Sequence, residues 1–293
     1  MEIIETIING LSLGGTYAMI ALGYTMVYGI AKMLNFAHGD VIMVGGYTLF
    51  VTLSAMGNPI LGLLLAVVLC VLLGITVEKV AYKPLRGASP LAVLITAIGV
   101  SYLLQSLAQI IFTSAPRMVH IWGQDGLGYF VLGELKIQKH IVITLVCSIV
   151  IMVVLSLFVK YTKIGRAMIA VSEDKGAAQL MGINVNMIIT ITFAIGSALA
   201  AFAGFFMLMK SPSLTNTLGA MPGIKAFTAA VIGGIGSIPG AMLGGIFIGM
   251  IETVATIVPG MAPYTVAIEF LVLIVVLLVR PTGILGKKRR EKV

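Results

Sequence analysis

Residues 60–77 read ILGLLLAVVLCVLLGITV, a run of 18 residues that contains no charged residue and no proline. This length is close to the ~20 apolar residues that an α-helix needs to cross the hydrocarbon core of a bilayer. The composition of the whole chain agrees, because 59% of its 293 residues are hydrophobic and only 10% are charged. Soluble domains carry roughly 25% charged residues. We therefore expect an integral membrane protein and exclude a soluble globule.

Further apolar stretches of comparable length predict the other transmembrane helices. Residues 223–236 form the shortest stretch, and we join them loosely to 239–257 as one interrupted span. The prediction is an all-α integral membrane protein of about eight transmembrane helices, some of them broken or half helices. Because no loop is long enough for a second domain, residues 1–293 are expected to form one transmembrane domain. The predicted spans are 7–30, 40–56, 60–77, 90–113, 141–159, 187–209, 223–257 with its interruption, and 264–280.

Basic residues predict the orientation, because cytoplasmic loops carry an excess of lysine and arginine. With the C-terminus inside, eight crossings place the N-terminus outside, and 14 of the 19 basic residues fall on the cytoplasmic side. Most of these lie in the loop 160–186 and in the basic tail 284–293. We interpret the tail as a topology anchor and expect no nucleic-acid partner. The five basic residues on the other side are Arg117, Lys136, Lys139, Lys210 and Lys225.

Glycines at a four-residue spacing predict close helix packing within the membrane, since they place small residues one above another on a helix face. The pairs are Gly10 with Gly14, Gly240 with Gly244, and Gly245 with Gly249.

Two stretches interrupt apolar runs with polar residues, glycine or proline: NFAHGD at 35–40 and GGIGSIPG at 233–240. Asp40 is placed to cap the helix that follows the first stretch. Broken helices are tolerated in membranes only where the backbone is buried in protein or lines a watery cavity, and paired breaks point to a transport path. A simple turn at the membrane interface is the alternative for each stretch. The candidate path residues are Asn35, His38, Gly39, Asp40, Gly45, Gly46, Gly233, Gly234, Gly236, Ser237 and Glu252.

Glu252 and Glu269 lie inside apolar runs, where an ionisable side chain is costly and is by default a functional candidate. They keep open a secondary transporter that is coupled to a proton or sodium gradient. The alternative is a protonated or hydrogen-bonded packing residue near the membrane edge.

Motifs for catalysis and cofactor binding are missing from the sequence. There is no GxxxxGK[ST] phosphate-binding loop. His38, His120 and His140 stand apart from any serine or cysteine nucleophile signature. We expect no enzyme activity, no catalytic residue, no metal site and no cofactor bound by this chain, so transport needs an energy source elsewhere.

The segment SEDKGAAQLMG at 172–182 predicts a short cytoplasmic helix. Ser172 is placed at the N-cap, acids follow in the first turn, where they complement the helix dipole, and Gly182 is placed to end the helix. A helix of about nine residues is too short to cross a bilayer. Two alanines in its middle let another protein approach closely, so we expect docking onto a partner. The docking candidates are Ser172, Glu173, Asp174, Ala177, Ala178 and Gly182.

Residues 176–182, GAAQLMG, resemble the EAAxxxG loop through which permease subunits of ABC importers engage their ATPases, with Gly176 in place of the glutamate. Further matching stretches are NFAHGDVIMVGGY at 35–47, GRA at 165–167, AAQLMGINV at 177–185 and AVIGGIGS at 230–237. Together they resemble the branched-chain amino acid ABC permease family, specifically its LivH-type subunit. The resemblance covers residues 10–286, which is nearly the whole chain.

The resemblance implies an ABC importer permease fold, a bacterial or archaeal cytoplasmic (inner) membrane, and a set of partners. The partners are a LivM-type permease, two cytoplasmic ATPases that use ATP and Mg, and an extracytoplasmic binding protein that delivers leucine, isoleucine or valine. Alternating access follows, with the 172–182 helix moving as the ATPases close. Urea and short-amide permeases resemble this family closely, so the substrate stays open. An ion-coupled transporter and a non-transporting membrane scaffold also stay open as functions of the chain.

Overall fold

The computed structural model describes residues 2–123, 126–132 and 135–286 and is helical over most of that length. The helices are α1 (Glu2–Ala31), α2 (His38–Met56), α3 (Pro59–Val77), α4 (Pro90–Phe112), α5 (Lys139–Tyr161), α6 (Lys163–Glu173), α7 (Lys175–Leu180), α8 (Val185–Lys210), α9 (Ala220–Gly233), α10 (Ile238–Ile257) and α11 (Thr265–Val279). The strands are β1 (Arg117–Met118), β2 (Tyr129–Leu132), β3 (Leu135–Gln138) and β4 (Ser213–Leu214).

Eight helices of the described residues are long and apolar enough to cross a membrane, which confirms the predicted number. They are α1 to α5, α8, α10 and α11, and α3 continues through a π-helical turn, Glu78–Tyr82, and a 3-10 turn, Lys83–Leu85. With 14 residues, α9 is too short to cross a bilayer alone. The interrupted seventh span is therefore a half helix, α9, followed by a full span, α10. The orientation stays a prediction, and residues 287–293 of the basic tail lie outside the described residues.

Four of the long helices form the interior of the bundle. In α8, α2, α1 and α10, the buried share of the most apolar segment is 67%, 56%, 50% and 44%. In α4 this share is only 17%, and in α11 it is 11%. The outer helices, which also include α3 and α5, are thus left with apolar faces that suit lipid or another membrane subunit.

Glycines join the two central helices, α1 and α10, as their spacing predicts. A methyl group added to Gly14 would lie 2.6 Å from the Cα atom of Ile246. Gly249 faces the backbone of Gly14 in return, and Gly245 faces the backbone of Ala18. The two helices therefore touch through their backbones, and larger side chains at these positions would push them apart.

The first predicted interruption separates α1 from α2. The chain leaves α1 after Ala31, Lys32 adopts a left-handed φ of 60°, and α2 begins at His38. The prediction that Asp40 caps α2 is wrong, because Ala37 occupies the N-cap without a side-chain bond and Asp40 is the third residue of the helix. Its carboxylate is instead bound by another helix, as described below.

The second predicted interruption separates α9 from α10. Gly234 and Gly236 have φ angles of 104° and 94°, which other residues rarely adopt, so glycine is required for this turn. The Ser237 hydroxyl caps α10 by accepting a hydrogen bond from the Gly240 amide at 3.2 Å. Both interruptions predicted from the sequence are thus real helix breaks.

The segment 160–186 contains two helices where the sequence predicts one of about nine residues. Ser172 is not the N-cap, because it lies inside α6 and its hydroxyl donates to the Ile169 carbonyl at 2.7 Å. The N-cap of α7 is Asp174, whose Oδ1 accepts from the amides of Gly176 at 2.8 Å and Ala177 at 3.0 Å. The acid that the sequence places in the first turn is therefore the cap itself, and α7 has only six residues.

Gly182 ends α7 as predicted, with a φ of 81°. Its amide donates to the carbonyl of Gln179, and the Ile183 amide donates to the carbonyl of Ala178, both at 3.0 Å. This pair of bonds is the Schellman motif, which needs a left-handed residue at this position.

The loop between α4 and α5 contains strands that the sequence analysis did not predict. β1 pairs antiparallel with β4, and β2 pairs antiparallel with β3. β3 leads directly into α5, so the β2–β3 hairpin is attached to the start of that helix. Strands of two to four residues are too short to produce a recognisable alternation of polar and apolar positions.

Candidate translocation and coupling sites

A cavity of about 510 Å³ opens between the N-terminal half of α1, the start of α5 and the C-terminal ends of α8 and α10, with the β2–β3 hairpin beside it. Its volume lies within the ~300–1,000 Å³ range of small-molecule sites. It is lined by Glu5, Asn9, Ser12, Leu13, Thr16, Tyr129, Lys136, Ile137, Gln138, His140, Ile141, Thr144, Phe206, Met207, Lys210, Glu252, Thr253, Thr256 and Ile257.

One face of α1 supplies polar residues to this cavity. Glu5, Asn9, Ser12 and Thr16 follow one another at steps of four, three and four residues, so they share one side of the helix. Such a face is costly in a transmembrane helix unless it meets water or other polar groups. The cavity provides that environment and accounts for the polar residues within an otherwise apolar span.

An ionic cluster of Lys225, Glu252 and Glu269 lies beside the cavity. The Lys225 Nζ atom is 2.8 Å from Oε2 of Glu252 and 3.2 Å from Oε1 of Glu269. The Tyr17 hydroxyl donates to the same Oε2 atom of Glu252 at 2.7 Å. Lys225 and Glu269 are buried, whereas the Glu252 side chain is 20% exposed and lines the cavity. The single ammonium group of Lys225 thus offsets part of the charge of the two carboxylates.

This cluster corrects the orientation count, in which Lys225 was placed among the basic residues of the non-cytoplasmic side. The lysine lies in the half helix α9, which enters the bundle and brings the ammonium group to the two glutamates. Without Lys225, the prediction places 14 basic residues on the cytoplasmic side and four on the other side, so the predicted orientation does not change. Each glutamate has the Lys225 ammonium group within 3.2 Å.

Polar bonds hold the first helix break in place. The Tyr82 hydroxyl donates to Oδ1 of Asn35 at 2.8 Å, and Nε2 of Gln105 donates to Oδ1 of Asp40 at 2.8 Å. Asn35 and Asp40 are buried. These bonds tie the break to α4 and to the π-helical turn, and they satisfy polar groups that the membrane interior would otherwise leave unpaired.

His38 and Gly39 bring the start of α2 against α1 and α9. The His38 ring meets the Tyr24 ring edge to face, with 4.8 Å between centroids. Its Nε2 atom is buried and has no hydrogen-bond partner among the described residues. A methyl group on Gly219 would overlap the carbonyl oxygen of Gly39, so these two backbones are in contact. The first break and the start of α9 therefore pack as one unit.

The two helix breaks are neighbours in space. A second cavity of about 10 Å³ is lined by Asn35 from the first break and Ile235 from the second; this is about the space that one water molecule needs. Gly236 also faces Gly29 of α1. A methyl group added to Gly29 would lie 3.2 Å from the Cα atom of Gly236. Sequence positions about 200 residues apart thus meet in one place, as paired breaks predict.

Most other candidate path residues take part in packing. Gly45 faces the backbone of α8, Gly46 faces Leu214, and Gly233 faces the backbone of Gly240. These positions allow close helix contact and expose little surface to either cavity. The candidates that line a cavity are Asn35 in the smaller one and Glu252 in the larger one.

The short helix α7 has a buried side and an exposed tip. Ala178, which the sequence analysis placed at a close contact with a partner, is 4% exposed and packs into the core of its own chain. Leu180 and Met181 at the end of the helix are 90% and 82% exposed. Large apolar side chains that protrude this far are typical of a surface that another protein covers. Glu173 and Ala177 are also exposed.

Lys175 connects α7 to α1. Its Nζ atom donates to the carbonyl of Ala31, in the last residue of α1, at 2.8 Å. A cation is favoured there by the negative end of the helix dipole. Burial, together with the nearby Arg86 guanidinium, lowers the pKa of Lys175. α1 therefore lines the large cavity with its N-terminal half and contacts α7 at its C-terminal end.

Most residues of the large cavity were absent from the sequence candidates. The regular spacing of polar residues in α1 was a signal that could have identified one wall. Lys210 and His140 carried no such signal, because polar residues at the ends of a transmembrane helix are common. Their convergence depends on how α5, α8 and α10 pack around α1.

Comparison with known proteins agrees with these features. The chain matches the family described as "Branched-chain amino acid transport system / permease component" over residues 6–277. It is 41% identical to the high-affinity branched-chain amino acid transport system permease protein BraD of Pseudomonas aeruginosa, over 99% of this chain and 98% of that protein. Identity to the permease protein LivH of Escherichia coli K12 is also 41%, over 99% and 97%.

A more distant relative is the probable branched-chain amino acid transport permease protein LivH of Methanocaldococcus jannaschii, which is 30% identical over 92% of this chain and 88% of that protein. The matches include both helix breaks, the ionic cluster and α7. This chain therefore belongs to the family of branched-chain amino acid transport system permease components.

Proposed function

We propose that this chain is the permease subunit of an ABC importer that carries leucine, isoleucine or valine across the cytoplasmic membrane. The observation that carries the proposal is its 41% identity, over 99% of its length, to permeases named for branched-chain amino acid transport. Such coverage extends the similarity to every element described above, including α7 and both helix breaks.

The proposed assembly pairs this chain with a LivM-type permease, two ATPases that use ATP and Mg, and an extracytoplasmic amino-acid-binding protein. In the proposed orientation the N-terminus lies outside, and the segment 160–186 and the tail 284–293 lie in the cytoplasm. α7 docks onto an ATPase through the exposed side chains of Leu180 and Met181. Ser172, Glu173, Asp174, Ala177 and Gly182 shape and surround this contact, while Ala178 supports it from inside.

Alternating access follows from the way in which α1 joins the two ends of the protein. Closure of the ATPases displaces α7, and Lys175 passes this displacement to the end of α1. α1 in turn borders the large cavity and is bonded to Glu252 through Tyr17. The two neighbouring helix breaks supply positions where the chain can bend without losing the hydrogen bonds of a continuous helix.

Two alternatives receive less support. An ion-coupled transporter would use Glu252 or Glu269, yet the ammonium group of Lys225 already lies within 3.2 Å of both carboxylates, where a transported cation would have to bind. A non-transporting scaffold has no use for a polar cavity of about 510 Å³. Urea or a short amide, as an alternative substrate, would not need the apolar side chains that line this cavity.

The test is uptake by proteoliposomes that contain this chain, its LivM-type partner, the two ATPases and the binding protein. We expect labelled leucine, isoleucine and valine to accumulate only with ATP, and urea not to accumulate. Leucine uptake by the chain alone in response to a proton or sodium gradient would contradict the proposal.

A further inference from the structure

The large cavity presents opposite charges to its contents. Glu252 lines it and keeps 20% of its side chain exposed, while its bonds to Tyr17 and Lys225 both use Oε2. Lys210, the last residue of α8, lines the same cavity and its side chain is exposed. A small molecule inside the cavity thus meets a carboxylate and an ammonium group together.

Hydroxyl groups add hydrogen-bond acceptors to the same cavity lining as Glu252. Thr16, Thr253 and Thr256 line the cavity and donate their hydroxyl protons to carbonyls of their own helices at 3.3, 2.8 and 2.8 Å. Because these protons are already engaged, the oxygens can accept hydrogen bonds from a ligand. An ammonium group, which has three donors and no acceptor, suits this wall.

Part of the remaining lining is apolar, beside further polar residues that include Glu5, Lys136 and His140. Leu13, Ile141, Phe206, Met207 and Ile257 contribute aliphatic and aromatic surface to the same cavity. An apolar surface with a few convergent polar groups is the usual composition of a small-molecule site. A ligand that matches Glu252, Lys210 and this apolar surface carries an ammonium group, an anionic group and an aliphatic side chain.

We infer that this cavity binds a free aliphatic α-amino acid, with its ammonium group at Glu252 and the threonine hydroxyls and its carboxylate at Lys210. This inference rests on the proposed function and deepens it, because it gives the permease itself a site for the substrate. The permease then selects the substrate by its two charged ends and its side chain, in addition to any selection by a binding protein.

The test measures binding of leucine to the full-length chain in lipid nanodiscs, by saturation-transfer NMR, which detects millimolar affinities. Leucinol, which lacks the carboxylate, and 4-methylpentanoate, which lacks the ammonium group, serve as matched probes, and serine replaces the aliphatic side chain. We expect leucine to bind more tightly than each of the three. Lys210→Gln should weaken leucine binding about tenfold, because a charge-assisted hydrogen bond is lost, and should leave leucinol binding unchanged.

Lys79→Gln is the control, because Lys79 is an exposed lysine beside the opposite end of α8. It should leave leucine binding unchanged. Lys210 is exposed, so its substitution should not unfold the chain, and the leucinol measurement reports directly whether the cavity persists. Equal binding of leucine and leucinol, absence of leucine binding, or an equal loss of both ligands in Lys210→Gln would overturn the inference.

Failure of this inference and failure of the proposed function are distinguishable. If the assembled transporter accumulates leucine while the chain shows no Lys210-dependent binding, the site is wrong and the transport function stands. If the chain binds leucine through Lys210 but the assembled transporter carries no branched-chain amino acid, the site stands and the proposed function fails.

Discussion

The two functional ends of this protein differ in shape and chemistry. At one end, a concave cavity of about 510 Å³ combines charged groups, hydroxyls and apolar surface. At the other, the six-residue helix α7 projects Leu180 and Met181, which are among the most exposed large apolar side chains of the described residues. A concave, mixed surface suits a small molecule, whereas a protruding apolar tip suits a protein. Under the proposed function, one chain thus meets the substrate and the ATPase with separate surfaces.

α1 connects these two ends. Its polar face lines the cavity, Tyr17 in its middle donates to Glu252, and the carbonyl of its last residue, Ala31, accepts from Lys175 of α7. A helix of 30 residues is about 45 Å long, so under the proposed function it carries a displacement from one end to the other. The comparison of the two ends can therefore be tested by changing either end or the connection between them.

The largest effect is expected at the tip of α7. The double substitution Leu180→Asp with Met181→Asp should abolish ATP-dependent leucine uptake by the assembled transporter, because charges replace the apolar contact with the ATPase. The double exchange Leu180→Met with Met181→Leu keeps the apolar surface and should retain most uptake. Membrane extraction checks that both variants insert equally. Normal uptake by the aspartate variant would show that this tip is not the docking surface.

The next largest effect is expected at the ionic cluster beside the cavity. Lys225→Met leaves the carboxylates of Glu252 and Glu269 without their cation and should lower the free energy of unfolding by about 3–5 kcal/mol. Denaturant unfolding in detergent measures this change. Lys79→Met, at an exposed lysine, is the matched control and should change stability by less than about 1 kcal/mol. Equal stabilities of the two variants would mean that the cluster contributes little.

A smaller loss is expected where the first helix break meets α9. Gly219→Ala places a methyl group against the carbonyl of Gly39 and should destabilise the protein by about 1–3 kcal/mol. Gly99→Ala is the control, since no atom lies within 4 Å of the added methyl group, and alanine favours the helix by up to about 1 kcal/mol. Thermal unfolding of both variants gives the comparison. A stabilising Gly219→Ala would contradict the close backbone contact.

The smallest effect is expected at the connection between the ends. Lys175→Met removes the bond to the Ala31 carbonyl and should reduce leucine-dependent stimulation of ATP hydrolysis about two- to tenfold. The basal rate without leucine should be unchanged, because the Leu180 and Met181 surface persists. An equal fall of basal and stimulated rates would indicate damage to docking instead of a lost connection between α7 and α1.

Features that depend on a pattern within one segment of the chain could be predicted from the sequence. The eight spans follow from long apolar runs, the helix breaks from clustered glycine, proline and polar residues, and the end of α7 from Gly182. Ser172 was mistaken for a cap because a serine and an aspartate two residues later satisfy the same local rule, and only the course of α6 decides between them.

Features that depend on packing between distant segments could not be predicted from the sequence. Lys225 was counted with the basic residues of the non-cytoplasmic side, since nothing in its neighbourhood reveals that its side chain meets Glu252 and Glu269. Ala178 was taken for a surface residue because its burial depends on contact with other helices. The cavity likewise combines residues from four helices and a hairpin that are far apart in the sequence.

The most direct measurement is ATP hydrolysis by the reconstituted complex of this chain, its partner permease and the ATPases, with leucine-loaded or leucine-free binding protein. We predict that the leucine-loaded binding protein stimulates hydrolysis and that Leu180→Asp with Met181→Asp removes the stimulation. Hydrolysis that does not respond to leucine, combined with leucine uptake by this chain alone in an ion gradient, would contradict a permease driven by partner ATPases.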